Sequence, residues 1–116
     1  AQIGPDFNPG HGHNDIFNFI LYIEKIPFIV DTGTSTYNYS KRRLKERSTS
    51  SHNTVSINGQ EQSEIWSNFR VAKRVNPKIL QESDHKIIAQ YSSLQKNVYH
   101  RREINLYENH IEDRLI

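Results

Sequence analysis

The chain has 116 residues, enough for at most one small domain, and its 34% hydrophobic content and mean hydropathy of −0.78 allow only a modest core. It contains no cysteine, which excludes disulfides and thiolate metal sites, and no apolar run near the roughly 20 residues that span a bilayer. Its net charge is only +2, and we expect no signal peptide within it.

The first third of the sequence predicts a loop followed by a β-hairpin. Residues 1–10 carry several turn-forming Gly and Pro residues and are expected to form a loop. Residues 17–23 alternate as a strand does, Glu24-Lys25 is a candidate turn, and residues 27–31 read as a second, buried strand.

Residues 32–52 form a long polar segment, which is uncommon unless the segment is functional or disordered. A short helix within 41–47 is expected. The same stretch concentrates five basic residues, which suit an anionic partner such as acidic polysaccharide, nucleic acid or phosphate, or else a solvated loop: Lys41, Arg42, Arg43, Lys45 and Arg47.

The remainder predicts further strands. Residues 53–57 alternate and precede the turn signal Asn58-Gly59. Beyond residue 70 we expect an antiparallel meander with strands at 79–80, 86–91, 98–106 and 110–116. The predicted class is all-β, an antiparallel β-sandwich, and the unterminated last strand predicts a fragment of a larger sandwich domain.

The densest chemistry lies in His11-Gly12-His13-Asn14-Asp15. If this segment is extended, His11 and His13 face one site and Asp15 can join them, while Gly12 leaves room for a close partner. Such residues can bind a metal, move a proton, or do both.

Two more polar residues can reach the same place. Asp31 ends the second predicted strand and His52 begins the next, and the hairpin would bring Asp31 back beside residues 13–17. Together with His13 they make a set of two histidines and a carboxylate, which suits Zn²⁺ or a similar metal. Asp31 can equally be a turn-forming residue, and each histidine an ordinary hydrogen-bonding one.

Other sites are disfavoured by the pattern. There is no Gly-rich phosphate loop and no Ser or Cys nucleophile motif, and the glutamate that a cupin needs after His-x-His is missing. His85, His100 and His110 read as structural or exposed. Trp66 fits core or edge packing better than a sugar platform.

Three ordered segments resemble one family, the heparinase II/III-like polysaccharide lyases. The match runs from about residue 10 to 70, whereas residues 71–116 match only in general strand character. The segments are Gly10-His11-Gly12-His13-Asn14-Asp15, Phe28-Ile29-Val30-Asp31-Thr32-Gly33-Thr34 and Arg47-Ser48-Thr49-Ser50-Ser51-His52-Asn53-Thr54-Val55.

The resemblance implies a C-terminal β-sandwich that family members join to an N-terminal helical toroid, and residues 1–116 would be part of that sandwich. It implies that His13, Asp31 and His52 hold a structural zinc and that His11 lines the catalytic cleft. It also implies a periplasmic or secreted location, with neither nucleic acid nor a membrane span among the expected partners.

The implied reaction is β-elimination at a uronic acid of an acidic polysaccharide, heparan-type or alginate-like. Because the family's catalytic tyrosine lies on the helical toroid, which is outside this chain, we expect the isolated chain to be inactive. Tyr37, Tyr39 and the basic run would border the cleft, with Arg47 as the best candidate for an anion contact.

Two alternatives stay open. The chain can be a non-catalytic, metal-stabilised module that binds glycans or serves a structural role. It can also be a free-standing metalloenzyme that uses His11 as a base beside a metal-bound water, although no other acid–base pair in the sequence supports this.

Overall fold

The computed structural model describes residues 3–116, which divide into two compact units, residues 3–74 and residues 75–116. Each unit is described by itself. The elements in chain order are β1 (Leu21–Ile23), β2 (Ile26–Ile29), α1 (Lys41–Arg47), a 3₁₀ turn (Thr49–Ser51), β3 (Ile65–Trp66), β4 (Arg70–Val71), β5 (Lys78–Ser83), β6 (Lys86–Ser92), β7 (Tyr99–Leu106) and β8 (Ile111–Leu115).

The predicted first hairpin is present but shorter and more exposed than expected. Glu24 and Lys25 have φ values of 48° and 68°, as a type I′ turn requires, and join β1 to β2. The first strand begins late because Phe17 has a φ of 64°, in a turn closed by Asn18 N–H donating to Asp15 O.

The prediction that the second strand is buried was wrong. Ile26 is 67% exposed and Phe28 69% exposed. Within the described residues this hairpin forms a two-stranded sheet of its own, with no third strand paired to either edge.

The expected helix forms as α1. Ser40 caps it, since its side chain accepts a hydrogen bond from Arg43 N–H at 3.1 Å, and the extended backbone of Ser48 ends it. The 3₁₀ turn follows at once and places His52 directly after Ser51.

The strand predicted for residues 53–57 does not form; only an isolated bridge joins Ile57 to Gln60 around the expected Asn58-Gly59 turn. The polar side chains of this segment bond to other loops instead. Asn53 Nδ2 donates to Val30 O at 2.8 Å, and Thr54 Oγ1 donates to Ile16 O at 2.6 Å. Side chains of this kind compete with a strand ladder for backbone groups.

The interior of the N-terminal unit is largely polar. Ile3 and Ile16 are its buried apolar residues. The buried polar side chains include Asn14, Arg43, Arg47, Thr49, His52, Gln62, Ser63 and Asn68. Because this unit buries few apolar residues, hydrogen bonds between buried polar side chains contribute much of its stability.

The C-terminal unit is the predicted meander, a four-stranded antiparallel sheet in the order β5-β6-β7-β8. Strands β6 and β7 are central and carry its buried residues, among them Ile88, Ala89 and Tyr91. Arg102 on β7 forms a bidentate pair with Asp113 on β8 at 2.9 and 2.5 Å. The predicted all-β, antiparallel class is confirmed. No helix within residues 3–116 is long and apolar enough to cross a membrane.

Candidate functional site

The segment that carries His11 and His13 is fixed through its backbone. Gly12 N–H donates to Pro9 O and Asn14 N–H donates to Arg47 O, each at 2.9 Å. Gly12 has the close partner that the sequence predicted, because a Cβ there would collide with the Ile3 side chain. These contacts therefore fix the backbone conformation of the loop.

Arg47 anchors the same loop through hydrogen bonds from its side chain. Its side chain is fully buried; Nε donates to Gly12 O at 3.0 Å and Nη1 to Ser67 O at 2.8 Å. Burial, together with the charge of Arg43, lowers the pKa of Arg47 to about 10. These contacts give Arg47 a structural role, and the anion contact inferred for it stays a prediction.

The three candidate metal ligands come together as expected. Asp31 Oδ2 lies 2.6 Å from His52 Nδ1, and the rings of His13 and His52 have centroids 5.2 Å apart. His52 follows the 3₁₀ turn rather than beginning a strand, and Asp31 lies two residues beyond β2. The cluster is thus built from loop residues.

Asp31 is both a turn residue and a member of the cluster. Its Oδ1 accepts from Gly33 N–H and its Oδ2 from Asn18 Nδ2, each at 2.8 Å. Burial favours the neutral carboxyl, but the hydrogen bonds from His52, Gly33 and Asn18 outweigh it and hold the pKa of Asp31 below its usual value. Asp31 is therefore a carboxylate at neutral pH.

His13 is held as a neutral imidazole. Burial, and next the positive charge of Arg43, lowers its pKa to about 4. Arg43 Nη1 lies 2.7 Å and Thr34 Oγ1 3.1 Å from His13 Nε2. Because a guanidinium can only donate, Nε2 accepts from Arg43.

The cluster offers donors of the types that bind Zn²⁺, two imidazoles and a carboxylate. Two imidazoles on one tetrahedral Zn²⁺ have centroids about 5 Å apart, close to the 5.2 Å between His13 and His52. His52 Nε2 is buried and accepts or donates no hydrogen bond among the described residues. Yet no three donors within residues 3–116 are poised on one point, because Asp31 and Arg43 occupy the imidazole nitrogens. Metal binding would require these contacts to open.

His11 lies apart from the cluster and is exposed. Its ring meets Tyr37 and Phe69 edge-on, at centroid distances of 5.4 and 5.7 Å. It lines an open cavity of about 500 Å³ together with His13 and Asp15. Burial raises the pKa of Asp15 above its usual value. His11, His13 and Asp15 thus share one cavity, as predicted. Of the three, only His13 also belongs to the cluster with Asp31 and His52.

The predicted border of the cleft contains exposed aromatic rings. Tyr37 is 62% and Tyr39 76% exposed. The Arg43 guanidinium lies over the Tyr37 ring at 5.4 Å, and Phe69 meets the Tyr39 ring edge-on at 5.2 Å. Tyr37 therefore contacts the His11 ring directly, whereas Tyr39 is linked to it through Phe69.

The basic run divides between surface and interior. Lys41, Arg42 and Lys45 are exposed, whereas Arg43 and Arg47 are fully buried on the other side of α1. The sequence did not single out Arg43 from this run, nor Phe69. The spacing of Arg43 and Arg47, one helical turn apart, was the signal that could have paired them.

The comparisons with known proteins point to one family. The profile of the family described as "Heparinase II/III-like, C-terminal" matches residues 1–116, the whole chain. No curated protein and no solved structure matches the chain. Since the match covers every residue and includes the segments that build the His11 cavity and the His13 cluster, this chain belongs to the heparinase II/III-like C-terminal family of polysaccharide lyases.

Proposed function

We propose that this domain is the sandwich part of a lyase that cleaves uronic-acid-containing acidic glycans by β-elimination. The observation that carries the proposal is that His11 and His13, which are separated only by Gly12, have different surroundings and can serve different roles. His11 is exposed in a cavity, while His13, two residues on, is fixed against Arg43 and beside His52. One histidine is free to meet a substrate and the other secures the loop that presents it.

The chemistry has three demands. The uronate carboxylate must be neutralised, the C5 proton removed and the departing 4-oxygen protonated. His11 can hold or move a proton at the cavity, since an imidazole can serve as a general acid or a general base. We assign the remaining steps to the helical toroid domain that family members carry, and we give neither Tyr37 nor Tyr39 the role of the catalytic tyrosine.

We further propose a structural Zn²⁺ at His13, Asp31 and His52. Such an ion supplies a fixed link between three loops and takes no part in proton transfer. The donor chemistry, the 5.2 Å ring spacing and the unpartnered His52 Nε2 support this assignment.

The surface of the N-terminal unit supports a substrate class. Lys41 and Lys45 present positive charge on the exposed side of α1, where Arg42 pairs with Glu46 at 3.0 Å, and Tyr37 and Tyr39 present rings on which sugars can stack. We propose a heparan-type or alginate-like glycan, and a periplasmic or extracellular site of action where such polymers are met.

A non-catalytic glycan-binding module is the second candidate. It is favoured by the state of His13, which lines the His11 cavity but is held as a neutral acceptor of the Arg43 hydrogen bond. This alternative predicts glycan binding without product.

One experiment distinguishes the two candidate functions: the helical domain is added to the chain, and the absorbance of the unsaturated uronic product is followed. The lyase proposal expects product with the wild type and a loss of at least tenfold with His11→Ala. His85→Ala, an exposed histidine in the β5–β6 turn, is the matched control and should retain activity. Glycan binding with no product in any combination would favour the non-catalytic module.

A further inference from the structure

A second groove lies on the other side of the His11 loop. It has a volume of about 280 Å³ and is lined by Phe7, Trp66, Phe69 and Arg70 along with backbone of the loop before His11. Phe7 is 91% exposed and Trp66 54% exposed. Several large aromatic rings exposed to solvent beside one groove are typical of a binding surface.

The groove adjoins the His11 ring through one residue. Phe69 lines the groove and also meets the His11 ring at 5.7 Å. Gly10 makes this junction possible, because a Cβ there would lie only 2.6 Å from Phe69 O. A chain-like ligand leaving His11 would therefore pass Phe69 and enter the groove.

The floor of the groove is held in place. Trp66 and Arg70 are cross-strand partners in the β3–β4 hairpin, and Trp66 Nε1 donates to Glu64 Oε1 at 2.8 Å. The loop between the strands is anchored by Arg47, which donates to Ser67 O at 2.8 Å, and by Asn68, which donates to Ser40 O at 3.1 Å. A ring fixed in this way loses little freedom on binding.

The chemistry of the lining suits an acidic sugar. Arg70 is exposed and is the one charged side chain among the described residues that line the groove. A guanidinium beside flat aromatic faces can pair with a carboxylate or sulfate while the sugar ring stacks. Resting on the proposed function above, we propose that the Trp66–Arg70 groove is a distal subsite that binds sugar residues of the same acidic glycan beyond those at His11.

Trp66 is the only tryptophan in the chain, so it reports directly on occupancy of the groove. We expect its emission to shift when an acidic octasaccharide is added, heparan-type or alginate, and to stay unchanged with the matching disaccharide or with a neutral octasaccharide. Calorimetry should then give an affinity for the acidic octasaccharide that falls about tenfold in Trp66→Ala, with no change for the disaccharide.

Arg70→Gln provides a second variant that leaves the aromatic packing intact. It should weaken octasaccharide binding several-fold and flatten its dependence on salt. Tyr107→Ala is the control, since Tyr107 is an aromatic residue of similar exposure, 52%, in the C-terminal unit. Melting curves of each variant verify folding.

The outcomes separate this proposal from the function it rests on. If the octasaccharide binds equally to wild type and both groove variants while His11→Ala weakens it, the subsite is wrong and the glycan site at His11 stands. If acidic oligosaccharides bind to no form of the chain, both proposals fall. If Trp66 emission shifts equally with the neutral octasaccharide, the assignment of an acidic ligand is overturned.

Discussion

Replacing Gln62 by methionine should destabilise the N-terminal unit and disturb the His13 segment, although Gln62 is distant from that segment in sequence. Gln62 is 4% exposed, and its side-chain amide pairs with the Ile16 backbone in both directions. Oε1 accepts from Ile16 N–H at 2.9 Å, and Nε2 donates to Ile16 O at 3.0 Å. The side chain thus acts in place of a neighbouring strand.

Methionine has a similar length but neither donates nor accepts in this way. The buried Ile16 N–H would lose the partner that the structure gives it, at about 1–3 kcal/mol, while Ile16 O would keep only its bond from Thr54 Oγ1, at about 0.5–1.5 kcal/mol more. The free energy of unfolding should therefore fall by about 1.5–4.5 kcal/mol. At about 4–6 °C per kcal/mol for a domain of this size, the melting temperature should fall by about 6–27 °C.

The assay is thermal unfolding followed by the fluorescence of Trp66, which lies in the same unit. Gln60→Met, at an exposed position two residues away, is the control and should change the melting temperature by less than about 2 °C. Equal melting temperatures for the two variants would refute the claim that the reciprocal amide pair holds residues 14–16.

Three further predictions concern the metal, the loop and pH. Mass spectrometry of the purified chain should find about one zinc per molecule, lost in His13→Ala and in His52→Ala with a lower melting temperature; a stable, metal-free wild type would sink the structural-zinc proposal. Gly10→Ala should cost about 1–3 kcal/mol in urea unfolding because its Cβ would press on Phe69 O, and an unchanged midpoint would show that the loop can yield. Burial, and next Arg102, lowers the pKa of His100, so its neutral form stabilises the fold fully above its ordinary pKa and progressively less as pH falls below it. Unfolding at pH 7 and pH 5 should therefore show a smaller acid loss in His100→Gln than in the wild type; equal losses would remove His100 as the cause.

The elements that the sequence predicted well are those with a local signature. The Glu24-Lys25 and Asn58-Gly59 turns, the helix over Lys41–Arg47 and the four strands of the meander each follow from residue type and alternation over a few positions. The convergence of His13, Asp31 and His52 was also foreseen, since a hairpin must return the chain to its start.

The elements that were missed depend on contacts far apart in the chain. Residues 53–57 alternate like a strand, but Asn53 and Thr54 bond to residues 16 and 30 instead of to a neighbouring strand. The alternation of apolar and polar residues cannot reveal these bonds, because the partners are more than 20 positions away in the chain. The structural contacts of Arg47 could not be predicted for the same reason: its charge is visible in the sequence, whereas its carbonyl partners at Gly12 and Ser67 are not.

These long-range bonds also explain how so polar a chain presents a fixed site. The His11 loop is held by Arg47, the residues after it by Gln62, and the Asp31 turn by Asn18 and His52. Three of these side chains, Arg47, Gln62 and His52, are buried, so their hydrogen bonds are costly to break. Hence a substitution in this network should disturb the position of His11 even where it touches no substrate, while substitutions of the exposed Lys41 or Lys45 should alter only the attraction of an acidic glycan.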